Sequence, residues 1–250
     1  QSILSGRVKL IAINHVSNVT GIVQDVKAIV SAAKRFNIPV FVDGAQAVPH
    51  INVDVAELGC DFYCFSGHKV FGPTGTGVLF VKTDYLDDLN PYKTGGQMVS
   101  TVSFNHSEWG ESPLKFEAGT PNIAGVMGLG ESIKFINAVG MKNISIYETE
   151  LASYMDEQIR KIPHLTLYGG TLRSMPVFSF NVNGLHHYDI ATLLSEKNIF
   201  VRAGHLCNQS LMSCLNIDGC VRASLSFYNT QKEIDLFIDA LKRVLKFLIR

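Results

Sequence analysis

Apolar residues along this chain fall into short runs separated by stretches of helical spacing. Residues 8–13 (VKLIAI) form an apolar run that predicts a strand buried on both faces. Residues 23–36 place Val26, Ile29, Val30 and Ala33 at helical spacing and predict a helix. Residues 38–42 (IPVFV) predict a second buried strand, which Asp43-Gly44 ends. One helical turn is expected at 55–58, and further strands at 62–65 and 77–81. This alternation predicts parallel pairing with right-handed crossovers. Residues 90–120 hold Pro91, Gly95, Gly96, Gly110, Pro113 and Gly119, and read as a long irregular connection of the kind that often carries function. Helices are then expected at 123–138 and 144–162, separated near Gly140. Strands follow at 165–167, 177–182, 200–202 and 221–227, with helices at 189–197 and 230–248. The fold class is α/β. A mostly parallel sheet with flanking helices occupies residues 1–140, and a smaller α+β C-terminal domain occupies 141–250.

Charge narrows the function. The chain has 22 basic and 22 acidic residues, a formal net charge of zero. That balance argues against broad electrostatic binding to nucleic acid or to an anionic membrane. Hydrophobic residues at 46% and charged residues at 18% fit a folded chain and not a disordered one. No apolar run approaches the roughly 18 residues that would span a bilayer, and residues 1–7 lack the charge-then-apolar order of a signal peptide. Five cysteines (Cys60, Cys64, Cys207, Cys214 and Cys220) are few and odd in number. They point to a reducing compartment, the cytoplasm or a reducing organelle, rather than a disulfide scaffold. No metal site is expected.

The candidate chemistry starts at Asp43. It stands where a buried strand ends, and open parallel sheets bind ligands beyond the carboxyl ends of their strands. A carboxylate there can hold a positive charge on a ligand, although an Asp before Gly is also a common turn. The next strand runs into Ser66-Gly67-His68-Lys69. A lysine shielded from water and near other cations has its amine favoured over its ammonium. Such an amine condenses with carbonyl compounds; a solvated surface lysine is the ordinary alternative. Ser66 and His68 offer hydroxyl and imidazole donors that suit a phosphate, and a glycine-rich turn follows at 71–77.

Four segments carry a resemblance: Asn14-His15-Val16-Ser17-Asn18, Val42-Asp43-Gly44-Ala45-Gln46, Phe65-Ser66-Gly67-His68-Lys69 and Phe116-Glu117-Ala118-Gly119-Thr120-Pro121-Asn122. In this order they resemble the fold-type I enzymes that use pyridoxal 5′-phosphate (PLP), within the class V aminotransferase superfamily. The resemblance implies that Lys69 holds PLP covalently and that Asp43 pairs with the pyridinium nitrogen, keeping the ring an electron sink. It implies further that Gln46 hydrogen-bonds the ring hydroxyl and that Ser66 and His68 contact the phosphate. Thr120 would reach the phosphate of a neighbouring subunit, which implies a homodimer.

The second half adds Arg202-Ala203-Gly204-His205-Leu206-Cys207 and Cys220-Val221-Arg222-Ala223-Ser224. Two arginines at strand ends can bind a carboxylate, because the guanidinium fork matches it bidentately. An exposed thiol beside cations gains thiolate character. Together with Leu211-Met212 and Tyr228-Asn229-Thr230, these segments resemble the SufS-like group II cysteine desulfurases. That resemblance implies conversion of L-cysteine to L-alanine, with the sulfur taken by Cys207 as a persulfide. A sulfur acceptor protein of SufE or SufU type would collect it for iron–sulfur cluster assembly. Arg222, with Arg202, would bind the substrate carboxylate, and Asn18 would assist. The sequence departs from most such enzymes in placing Leu206 where they carry a second histidine. Relatives also carry a portion before the position of Val8, so the chain reads as the later part of the family, with its large domain incomplete. A selenocysteine lyase or another class V aminotransferase is the neighbouring alternative. A non-catalytic fragment that binds a sulfur-transfer partner is the alternative from another class.

Overall fold

The computed structural model describes residues 7–170 and 175–249. The chain divides into two compact units. Among the described residues, the first holds 7–15, 25–49 and 53–138; the second holds 16–24, 50–52, 139–170 and 175–249. The expected division near residue 140 is therefore crossed twice, by two short excursions of the N-terminal half.

The first unit is a four-stranded sheet in the order β1 (Ile11–Asn14), β2 (Val40–Asp43), β3 (Phe62–Ser66), β4 (Gly77–Val81). β1 and β3 both pair parallel with β2, while β4 runs antiparallel to β3. The connection between β3 and β4 is a tight turn through residues 67–76 and holds no crossover helix, so parallel pairing ends there. Helix α1 (Val26–Lys34) makes the crossover from β1 to β2. The Asp25 carboxylate accepts from the Ala28 amide at 2.9 Å and caps it, and α1 buries Val26, Val30 and Ala33. These residues meet Ile38, Val40, Val42, Cys60 and Tyr63 in one core. The single turn α2 (Val55–Leu58) is capped by Asp54 and stopped by Gly59, whose φ of 68° is the left-handed state glycine tolerates.

Two expectations for this unit are corrected. β1 is not buried on both faces: it lies at the sheet's edge, with alternate residues exposed. Residues 90–120 are not wholly irregular, because β5 (Val99–Val102) and β6 (Ser107–Trp109) form an antiparallel hairpin within them. Helix α3 (Ile123–Val139) closes the unit; Leu129 and Ile136 are buried, while Val126 and Met127 are exposed.

The second unit has an antiparallel sheet in the order β7 (Leu165–Leu167), β8 (Val177–Val182), β10 (Cys220–Ser224), β9 (Arg202–Gly204). β9 lies two residues beyond its expected place. Helices α4 (Met141–Ile159), α5 (His187–Ser195) and α7 (Gln231–Leu248) cover the sheet around Phe178, Phe180, Ile190, Leu194 and Leu241. α7 begins with a full capping box between Thr230 and Glu233, and it buries seven apolar side chains along one face. A short helix, α6 (Gln209–Leu215), was not predicted; Asn208 caps it. Glu148 on α4 is buried yet satisfied. It accepts from Ser226 Oγ at 3.2 Å and the Phe227 amide at 3.0 Å, and His50 Nδ1 lies 2.8 Å from its other oxygen. Among the described residues, no helix is long and apolar enough to cross a membrane.

Candidate functional site

The predicted residues gather in two groups, one in each unit. The first group sits at the carboxyl ends of β2 and β3. These strands are parallel neighbours, with Asp43 in register with Cys64, so Asp43 and the Ser66–Lys69 turn emerge from the same end of the sheet. Asp43 is exposed, and its Oδ1 accepts from the Ala45 amide at 2.9 Å, which fixes the carboxylate at the strand end. Gln46 follows it, half-buried. Beneath them, His15 Nδ1 and the Tyr63 hydroxyl lie 3.0 Å apart, with the rings edge to face. Burial lowers the His15 pKa, and burial raises that of Tyr63. A side chain at Gly44 would collide with the Tyr63 ring, so only glycine lets the chain turn over it.

Ser66 ends β3 and precedes a 3₁₀ turn, Gly67–Val70, that presents His68 exposed and Lys69 half-buried. Gly67 packs against the Thr76 side chain, where a Cβ would clash, and this holds the turn tight. The donor set suits pyridoxal phosphate: an amine for an aldehyde, a carboxylate for a pyridinium nitrogen, and a hydroxyl and an imidazole for a phosphate. Thr120 stands apart from this cluster in the chain, exposed in the segment leading into α3.

The second group is built on β9 and β10. Arg202 and Arg222 face each other across this antiparallel pair. Arg222 donates through one terminal nitrogen to the Asn18 carbonyl at 3.0 Å, while its Nε is buried without a hydrogen-bond partner. Burial first, and then the Arg202 charge, lower the Arg222 pKa. Two like charges in register repel, so an anion between them is favoured. Beyond β9 the chain enters the left-handed region at Leu206 (φ 54°) and Cys207 (φ 58°). Leu206 is buried with Val19, Met212 and Cys220, whereas Cys207 is exposed. The thiol lines a shallow pocket of about 460 Å³ with Tyr188, Arg202, His205 and Gln209. Asn18 donates from Nδ2 to the Leu206 carbonyl at 2.7 Å.

Sequence reasoning left Tyr188 without a role at this pocket. Its signal was Gly204, which has a φ of 103° and where a Cβ would come within 2.6 Å of the Tyr188 hydroxyl. The cysteines Cys60 and Cys220 are buried, and burial raises the pKa of each.

Comparison with known proteins agrees with this architecture. The model of the class-V aminotransferase family matches residues 1–237. A cysteine desulfurase of Shigella sonnei is 44% identical over 239 residues, covering 95% of this chain and 59% of its own length. The corresponding protein of Escherichia coli K12 gives the same figures. The chain thus spans about 59% of the length of these curated relatives. The crystal structure of the cysteine desulfurase CsdA from Escherichia coli superposes with a TM-score of 0.94 at 36% identity, covering 98% of this chain and 61% of that one. The apo cysteine desulfurase of Thermococcus onnurineus gives 0.91 at 38% identity, covering 95% and 60%. With the family model matched along most of its length, this chain belongs to the class-V aminotransferases.

Proposed function

We propose that this chain is the later part of a PLP-dependent cysteine desulfurase that converts L-cysteine to L-alanine and carries the sulfur on Cys207 as a persulfide. The observation that carries the reading is the second group. Arg202 and Arg222 are partners across β9 and β10, Arg222 has a buried unpaired Nε, and Arg202 lines one pocket with the exposed Cys207 thiol; such an arginine pair suits a carboxylate. The desulfurase relatives, at 44% identity, support it.

PLP, when bound, supplies an electron sink that labilises the bonds at the substrate α-carbon. Lys69 would hold the cofactor through its amine and would serve as the base that moves the substrate α-proton. Asp43 would keep a proton on the ring nitrogen, Gln46 would orient the ring, and Ser66 and His68 would hold the phosphate. Arg222 and Arg202 bind the substrate carboxylate, assisted by Asn18. The Cys207 thiolate attacks the substrate sulfur. A new S–S bond forms as the Cβ–Sγ bond breaks, and its electron pair stays with the substrate carbon, which is protonated to give alanine. Thr120 serves the phosphate of a second subunit, so the active form is a homodimer. The exposed thiol and its open pocket suit hand-over to a sulfur acceptor protein of SufE or SufU type, for iron–sulfur cluster assembly. Five free thiols, two of them exposed, suit a reducing compartment such as the cytoplasm.

The test uses two variants of the natural-length protein. Lys69→Ala loses the visible absorbance of bound PLP. Cys207→Ser keeps that absorbance, but persulfide formation from L-cysteine falls on the order of a thousandfold. Turnover of L-cysteine by Cys207→Ser at the parent rate overturns the assignment.

A further inference from the structure

Asn18 touches both halves of the second group. Its backbone carbonyl accepts from the Arg222 guanidinium at 3.0 Å. Its side-chain amide donates to the Leu206 carbonyl at 2.7 Å, the shorter of the two bonds. The residue is half-buried and lies in the excursion of residues 16–24 that belongs to the second unit. That excursion is hydrogen-bonded within itself and to β8. Ser17 Oγ accepts from the Val19 and Thr20 amides, Val16 bridges Val23, and the Val19 carbonyl accepts from Ser179 Oγ at 2.6 Å. Val19 is also buried beside Leu206.

The Leu206 side of the contact is under backbone strain. Leu206 and Cys207 are consecutive non-glycine residues at positive φ, a conformation that L side chains disfavour. Two local features offset that strain. The Leu206 side chain is 5% exposed, packed among Val19, Met212 and Cys220. Its carbonyl, turned by the left-handed backbone, meets the Asn18 amide. With Leu206 pinned inward on both counts, the next residue, Cys207, faces outward.

We propose that Asn18 is a positioning residue for Cys207: its side-chain amide, by holding the Leu206 carbonyl, fixes the loop that presents the thiol. The same residue carries the Arg222 contact through its main chain, so one segment sets both the guanidinium and the thiol loop. This role differs from direct contact with a substrate carboxylate. It rests on the reading of Cys207 as the sulfur-accepting thiol, but it is tested without turnover.

The test is competitive alkylation of the natural-length, PLP-loaded protein with iodoacetamide across a pH series. Peptide mass spectrometry reads Cys207 and Cys214 separately. Cys214 is exposed on α6, lies outside the Asn18 contact, and serves as the internal reference. In Asn18→Asp the amide donor becomes an acceptor of equal size. The Cys207 rate relative to Cys214 then shifts by about fivefold, the size of one lost net hydrogen bond. Asn18→Ala shifts it in the same direction, and Asn18→Gln, which keeps the amide, restores part of the parent ratio. If both variants that lack the amide leave the ratio unchanged, the proposal is overturned. If Cys207 and Cys214 shift together, the effect is general loosening and the proposal is likewise overturned. A Cys207→Ser enzyme that still desulfurates L-cysteine sinks the catalytic assignment and leaves the alkylation contrast standing, so the two failures are distinguishable.

Discussion

At the scale of single residues, two histidines place a sign on the pH dependence of stability. His15 is buried against the Tyr63 hydroxyl, and burial lowers its pKa below the ordinary 6.5. His187 is shifted the same way by burial and then by His186 and His205. The unfolded chain therefore takes up protons first as the pH falls through 6.5. Stability is complete above that pH and is lost as the pH drops toward the folded values. Thermal unfolding followed from about pH 8 down to about pH 5 is expected to show a falling midpoint. In His15→Gln the fall is shallower and does not vanish, because His187 remains. A variant with the parent slope would remove His15 as a source. The candidates Asp43, Lys69, Cys207 and Arg222 stand out in the sequence as motifs, because each sits in a distinctive run of neighbours. The left-handed backbone at Leu206 and Cys207 was not legible. Leucine and cysteine carry no local preference for it, and only burial of Leu206 and the distant Asn18 amide hold it.

At the scale of elements, most strands and helices were legible from periodicity, and the exceptions have physical causes. The β5–β6 hairpin lies in a segment rich in glycine and proline, and its strands are largely exposed, so no alternating buried face marks them. Helix α6 has seven residues, too few for a clear period, and its signal was the cap at Asn208. β1 read as buried on both faces because its composition is apolar, yet no strand pairs with its outer edge among the described residues. Helix α7 illustrates agreement at two levels. The Thr230–Glu233 capping box starts it, and the stripe from Ile234 through Val244 to Leu245 packs into the core. Thr230→Ala removes an acceptor for the Glu233 amide and is expected to cost about 1 kcal/mol. Chemical denaturation should show a lower midpoint at unchanged slope; an unaltered midpoint would mean that the cap contributes nothing.

At the scale of the whole molecule, apolar surface is the conspicuous property. Leu10 and Leu79 are exposed near β1 and on β4, the two outer strands of the first sheet, and Val126 and Met127 on α3 are exposed as well. Open strand edges and apolar patches of this kind promote association. Expressed as these 250 residues, the chain is expected to bind a hydrophobic dye strongly and to elute larger than its 27.5 kDa. Leu79→Lys with Met127→Lys should weaken both effects while leaving the helical circular dichroism signal intact. Elution of the parent chain as a dye-silent monomer would contradict the expectation. The sequence by itself determined the alternation of strands and helices and the residue types at both groups, because periodicity, charge and motif are local properties. Tertiary structure alone decided that residues 16–24 and 50–52 join the second unit, that Arg202 stands in register with Arg222, and that Asn18 reaches Leu206. Those pairings join residues up to 188 positions apart. Local propensity carries no information about them; burial and backbone hydrogen bonding, satisfied over the whole chain at once, select them.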